Sequence, residues 1–281
     1  LFWSYQEKVI GGVLPSSLFF GGHNYYVSQF PQRLGVEPYS IHTTFQYSAA
    51  PAKRHRLREA GVWYDEPEYY APSGGVLAVE LEVPPDMIHP PGGMDTIKHI
   101  LLMKHQLRQI RSALALAISL RRMLVMPEVV CGYDKAWYAL SGGRSKGAFG
   151  GAPSFAVPIY RCPLDHYLEV GMLNPVQTIR EYSFLRNPRV PASFSASCAN
   201  VTLSGSAGTG GVAKLVNDHK GVKVLRVTDT LPDWDKMQGM LTTEQLAQVT
   251  PRLRVSGGWC CAPTEDKGMP KSAHWNLLHL K

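Results

Sequence analysis

The sequence predicts an α/β fold, and three observations carry that prediction. Residues 97–122 repeat apolar side chains at helical spacing, through Ile100, Met103, Leu107, Ile110, Leu114, Ala117 and Leu120, which marks a long helix with a buried face. The apolar run 123–127 follows at once after Arg121 and Arg122, and a helix that feeds straight into a short buried strand is one half of a parallel α/β unit. Residues 222–227, Val-Lys-Val-Leu-Arg-Val, read as a second strand of the same kind.

Taken in order, the chain opens on a strand-like run, LFWSYQEKVI. A natural protein rarely starts in such a run, so the chain is expected to be a fragment of a longer one. KVIGGVLP and YSIHTTFQY read as short strands, Gly21-Gly22 as a turn, and residues 24–34 as a short helix. Residues 71–97 are dense in proline and glycine (PSGG, PPD, HPPGGMD) and enclose a strand over 76–83. They are the expected junction between two regions, 1–70 and 98–281, each with its own core. Asp95 stands where a helix N-cap would be. Lys104, Arg108, Gln109 and Arg111 fall largely off the apolar stripe of the helix that follows. The Gly/Ser-rich runs 141–156 and 199–212 read as flexible loops, and residues 241–249 as a short helix. There is no internal repeat.

Composition narrows the function classes. The apolar fraction of 44% suits a globular protein with a true core. The formal charge of +7 suits an anionic ligand without choosing among them. There is no aromatic-interleaved RNA motif, zinc spacing or long basic tail, so nucleic acid is not an expected partner. No apolar run approaches 20 residues, so a membrane could be reached only through an N-terminal anchor absent from this sequence. Of five cysteines, Cys131 and Cys162 flank the glycine-rich loop and are the first candidates for a disulfide if the compartment is oxidising. Asn200-Val-Thr202 is a glycosylation sequon, meaningful only in the secretory pathway.

The run GVLPSSLFFGGHNYYVSQFPQRLGVEPYSIHTTFQY, then KRHRLREAGVWYDEPEYY, resembles the later part of the catalytic domain of plant and algal glycosyltransferase family 77, in particular its extensin arabinosyltransferases. The likeness continues through QLRQIRSALALAISLRRMLVMP, CPLDH, IREYSFLRNP and GGWCC. It is weak over 140–158, 199–220 and the last dozen residues. It implies that residues 1–70 finish a GT-A-like nucleotide-sugar transferase domain. A shorter likeness of QLRQIRSALALAISLRRMLVMP to O-fucosyltransferase-like domains implies a second, Rossmann-like α/β domain over 98–281.

His42 ends a strand-like run, and Lys53 and Arg54 open a cationic cluster beyond a short loop. A neutral imidazole can ligate a divalent metal, and fixed cations can hold phosphate oxygens. The resemblance gives these residues roles: His42 as a ligand to a divalent metal (Mn or Mg), Lys53 and Arg54 against the leaving diphosphate of a UDP-sugar donor. A packed histidine beside a solvated basic segment is the plain alternative. Gly21 and Gly22 could let backbone approach that donor, with Tyr25 and Tyr26 stacking on sugar faces, or could serve a tight turn. Asp233-Trp234-Asp235 is the sole Asp-x-Asp, but it lies far beyond the position the family uses, so a pair of loop acids is the better reading. Asp165 and His166 are not expected to act as acid and base, and Arg180 with Glu181 reads as a structural set. No catalytic residue is assigned.

The resemblance implies a pentosyltransferase. It would carry L-arabinofuranose from UDP-β-L-arabinofuranose to hydroxyproline-linked glycans of cell-wall glycoproteins. The setting would be the Golgi lumen, as part of a type II membrane protein, and this chain alone would be incomplete for catalysis. Two alternatives stay open. One is a non-catalytic carbohydrate-binding or structural protein with a degenerate transferase fold. The other is a bifunctional protein with a separate C-terminal enzyme, favoured if the loops after 123–127 and 222–227 meet at an open basic cleft.

Overall fold

A five-stranded, all-parallel sheet organises the molecule. The computed structural model describes residues 2–4, 9–15, 18–44, 46–133, 160–173, 178–206, 208–262 and 271–281. The glycine-rich run 141–156 lies outside them.

Strands β1 (Phe2–Ser4) and β2 (Val9–Gly11) form an antiparallel pair. Strand β3 (Phe19–Gly21) leads into a π-helical turn, His23–Val27, and helix α1 (Phe30–Leu34), so the helix expected over 24–34 is two short pieces. Strand β4 (Ser40–His42) lies parallel to β3 with Gly21 opposite His42. Helix α2 (Ala49–Glu59) carries the whole cationic cluster, which therefore sits on a rigid element and not on a loop. A helical turn, α3 (Pro67–Tyr70), precedes β5 (Val76–Ala78), and a second, α4 (Pro85–Ile88), follows it.

Helix α5 (Thr96–Ser119) starts where expected: the Asp95 carboxylate accepts from the Lys98 N–H at 2.8 Å, which satisfies one of the free amides of the first turn. From Ile110 to Leu120 every residue is buried, Arg111 included. A helix buried all round is packed on more than one side. The Arg111 guanidinium is no solvent-facing group: it donates to the carbonyls of Leu277 and Leu280 and so fastens the chain's last residues. Strands β6 (Met123–Val125), β7 (Val130–Cys131) and β8 (Tyr160–Arg161) come next, and β7 and β8 pair antiparallel. Cys131 and Cys162 are disulfide-bonded beside that pair, as the loop-end reasoning expects.

Then come β9 (Ile179–Arg180), α6 (Ala192–Ala196), β10 (Cys198–Val201), α7 (Gly211–Asp218), β11 (Val224–Val227), α8 (Trp234–Met240), α9 (Thr243–Arg252), β12 (Ser256–Ala262) and β13 (Lys271–Asn276). The run 199–212 is thus not loop throughout; it begins as an edge strand, with Asn200 of the sequon exposed on it.

The sheet order is β10-β11-β5-β6-β9, parallel at every step. The chain enters at the central strand, β5, steps outward to β6 and β9, then returns on the other side to β10 and β11. Residues 71–97 therefore do more than join two regions, since they supply the strand on which the sheet turns. Gly75 makes that strand possible. Its φ is +75°, and a Cβ there would meet the Lys223 carbonyl oxygen at 2.4 Å, so only glycine lets β5 start this close to the segment leading into β11.

The expectation of two separate cores needs correction. Val27 and Ala52 belong to one cluster with Leu77, Leu107, Leu124, Leu164 and Trp259. A second cluster, around Tyr69, Phe184 and Phe194, packs against Val76 and Val224 of the sheet. Among the described residues no helix is long and apolar enough to cross a membrane.

Candidate functional site

In an open parallel sheet, ligands gather at the carboxyl ends of the strands where the strand order reverses. Here that point lies between β5 and its neighbours β6 and β11, and a cleft of about 900 Å³ opens there. It is lined by residues that follow the strands: Val79 to Glu82 after β5, Met126 to Glu128 after β6, Tyr182 and Arg186 after β9, and Thr228 to Thr230 after β11. The size falls in the range of small-molecule sites, about 300–1,000 Å³.

Hydrogen bonds hold its walls. The Gln109 side chain closes a pair of bonds with the backbone of Glu82, accepting from its N–H at 2.9 Å and donating to its carbonyl at 2.8 Å. His105 Nε2 reaches the same carbonyl at 2.7 Å. Thr230 Oγ1 donates to the Glu82 carboxylate at 2.8 Å. Across the cleft, Asp229 accepts from the N–H groups of Leu203 and Ser204 at 2.8–2.9 Å. Partial burial works to raise its pKa, but those amides outweigh it and hold the carboxyl below its usual range.

The cleft is open, but it is not basic. Glu80, Glu82, Glu128 and Asp229 stand against Arg186 and Arg226, and Arg186 is already paired with Glu128 at 3.0 Å. The loop after β5, Val-Glu-Leu-Glu-Val-Pro, has no glycine to cradle a pyrophosphate. The separate C-terminal nucleotide enzyme loses its expected support here.

The residues singled out from sequence lie elsewhere. His42 is exposed at the end of β4, Arg54 is exposed on α2 with its guanidinium 5.4 Å from the Trp63 ring centre, and Lys53 is half-buried. Among the described residues no hydrogen bond or ion pair joins His42 to Lys53 or Arg54. His42 lines neither the cleft nor the smaller pocket beside Tyr182. Gly22 makes its close approach to the chain itself: its N–H donates to Thr44 Oγ1 at 3.1 Å, and a Cβ there would meet the Thr44 carbonyl oxygen at 2.2 Å. Gly21 sits in the β3–β4 ladder opposite His42.

A protein-held divalent cation needs several oxygen or nitrogen ligands. Among the described residues no three His, Cys, Asp or Glu side chains come together as such a set. His42 alone does not make a metal site. Asp233 and Asp235 flank the start of α8 and form no such set either.

Sequence reasoning missed the buried ionic framework behind α2. Arg56 and Asp165 pair through two bonds of 2.8 Å, and the Tyr47 N–H donates to the same carboxylate at 2.7 Å. Arg58 pairs with Asp65. The Arg180 guanidinium lies 4.0 Å from the Tyr69 ring centre and donates to the Tyr69 carbonyl, while the Tyr69 hydroxyl donates to Glu181 at 2.6 Å. The structural reading of Arg180 and Glu181 fits that arrangement. His166 packs edge-on to Tyr47, and Asp165 is consumed by Arg56. The one signal available in sequence was the helical spacing of Ala52, His55, Arg56 and Glu59, which puts a polar stripe on a single face.

The mixed α/β architecture with its parallel sheet and carboxyl-end cleft is compatible with an α/β transferase-like fold. Over 213 residues, 72% of this chain, the sequence is 42% identical to arabinosyltransferase XEG113 of Arabidopsis thaliana. The chain spans about a third, 32%, of the length of that curated relative. It thus resembles a plant arabinosyltransferase over part of that protein's length. No protein-family model matches the chain, and no solved structure matches it.

Proposed function

We propose that this chain is part of a glycosyltransferase. The enzyme would move a pentose, L-arabinofuranose, from a UDP-sugar to hydroxyproline-linked glycans of cell-wall glycoproteins in the Golgi lumen. The observation that carries the reading is the 42% identity over 213 residues to a protein named as an arabinosyltransferase. The Cys131–Cys162 disulfide and the exposed Asn200 of the sequon support the luminal setting, since structural disulfides persist in oxidising compartments.

Charge supports a division of labour. A departing nucleotide diphosphate develops negative charge that fixed cations stabilise, and Lys53 and Arg54 on α2 are the cations proposed for it. A ring of carboxylates would repel a diphosphate but accepts hydrogen bonds from sugar hydroxyls, so the cleft at the strand ends is proposed for the acceptor glycan. His42 is proposed as one donor ligand to a divalent metal (Mn or Mg) whose other ligands come from outside the described residues.

The test is transfer by a full-length protein carrying this segment, with UDP-β-L-arabinofuranose as donor and a hydroxyproline-linked arabinoside as acceptor, read as a mass gain of one pentose. His42→Ala should abolish metal-stimulated transfer without changing the thermal melt. Lys53→Ala should chiefly raise the KM for donor. A well-folded full-length protein that binds the acceptor but transfers nothing would favour the non-catalytic carbohydrate-binding alternative. The missing metal-ligand set among the described residues is the observation on that side.

A further inference from the structure

A smaller pocket of about 190 Å³ lies beside the cleft, between the N-terminal segment and the disulfide-bonded pair β7–β8. It is lined by Tyr25, Tyr26, Gln32, Glu59, Arg161 and Tyr182, and Tyr182 also lines the cleft. We infer that this pocket is a binding subsite for a single neutral sugar ring.

Three observations point to a ligand of that class. Tyr26 offers the pocket an aromatic face, since only 7% of the residue is exposed and its hydroxyl is out of solvent's reach. Glu59 uses one carboxylate oxygen, Oε1, toward the Leu164 N–H and His55. Its other oxygen has no hydrogen bond among the described residues. The Arg161 guanidinium carbon stands 4.1 Å from the centre of the Tyr182 ring, and its side-chain N–H groups have no hydrogen bond among the described residues. Burial, and then the Glu59 charge, raise the pKa of both Tyr26 and Tyr182, so both are protonated hydroxyls at neutral pH.

Size and charge exclude the obvious rivals. The pocket is below the roughly 300 Å³ at which drug-sized sites begin, so a whole nucleotide sugar does not fit. It equals about six waters at about 30 Å³ each, which is the scale of one furanose or pyranose ring. Among the described residues its one arginine is offset by one carboxylate, so that lining carries no net charge to collect a phosphate. Donors and acceptors alternate around aromatic faces, as a polyol requires. Because Tyr182 is shared with the cleft, a ring held here can be the end of a glycan that continues along the strand ends. This deepens the transferase reading, and its test does not depend on turnover.

The test is saturation-transfer NMR on the full chain, titrating methyl α-L-arabinofuranoside and then adding inorganic phosphate. The glycoside should bind saturably and phosphate should not displace it. Glu59→Gln should weaken binding about tenfold, while the variant melts within about 2 °C of the wild type, because glutamine can still accept from the Leu164 N–H. No glycoside binding, unchanged affinity in Glu59→Gln, or displacement by phosphate would each overturn the inference. Failure here with intact transfer by the full-length enzyme would remove the subsite and leave the transferase standing. Binding here with no transfer would do the reverse.

Discussion

Replacing Asp165 by asparagine should be among the most damaging single changes in this protein. Arg56 and Asp165 are both almost fully buried, at 0% and 2% exposure. Burial alone would lower the pKa of the Arg56 guanidinium; the Asp165 charge and its hydrogen bonds more than offset that and push it up. In Asp165→Asn the guanidinium keeps its charge, because arginine does not deprotonate in proteins, and loses its counter-ion in a dry site. Breaking a buried pair from one side costs about 3–5 kcal/mol. For a chain of this size about 2 °C of melting temperature accompanies each kcal/mol, so a fall of roughly 6–10 °C is expected. The assay is a circular-dichroism melt of the wild type, Asp165→Asn, and the double variant Arg56→Met/Asp165→Leu. The double variant should recover most of the loss, since a buried pair replaced by apolar groups of similar volume is close to neutral. A single variant melting within about 2 °C of the wild type, as for a surface pair, would refute the view that this pair is desolvated and structural.

Reducing the Cys131–Cys162 bond, which closes a loop with a sequence separation of 31, should cost about 3–4 kcal/mol by loop entropy. Urea unfolding with and without reductant measures it, and an unchanged midpoint would contradict it. Burial lowers the pKa of His99 from 6.5 to about 3, so below pH 6.5 the unfolded chain takes up a proton that the native state refuses. Stability should therefore fall as pH drops through 6.5, by about 2 kcal/mol at pH 5 at 1.36 kcal/mol per unit, and the fall should flatten in His99→Leu.

Helix α5 was legible because its period, its Asp95 cap and the apolar run after it are local signals that agree. Strands β6 and β11 were legible for the same reason. The division near 71–97 misled because glycine density has two causes. A linker uses glycine for freedom, whereas Gly75 uses it to bring β5 against the Lys223 carbonyl, and one sequence does not separate the two. Arg56 and Asp165 were invisible as a pair because they stand 109 positions apart in the chain. A charge run on a short helix looks solvated until the partner that buries it is known. Tyr25 and Tyr26 stand out in sequence as faces for stacking on sugars, but the groups that complete their pocket, Arg161 and Tyr182, come from far along the chain.

These placements bear on how a transfer reaction could be organised here. The formal charge of +7 does not fall on the cleft, where carboxylates outnumber arginines. The proposed phosphate-holding cations instead sit on α2, a helix whose inner face is fixed by Arg56 to Asp165 and by the Glu59 carboxylate, which accepts from the Leu164 N–H. One helix therefore bears Lys53 and Arg54 outward and, through Glu59, contributes a wall of the sugar-ring pocket. A rigid element that touches both proposed ligands fixes the distance between them, and fixed distance is what converts two bound partners into reacting neighbours. It follows that Asp165→Asn, which loosens α2 without touching either ligand, should lower the rate of transfer more than it weakens binding of methyl α-L-arabinofuranoside. Equal losses in both, measured well below the variant's melting temperature, would mean that α2 serves the two sites independently.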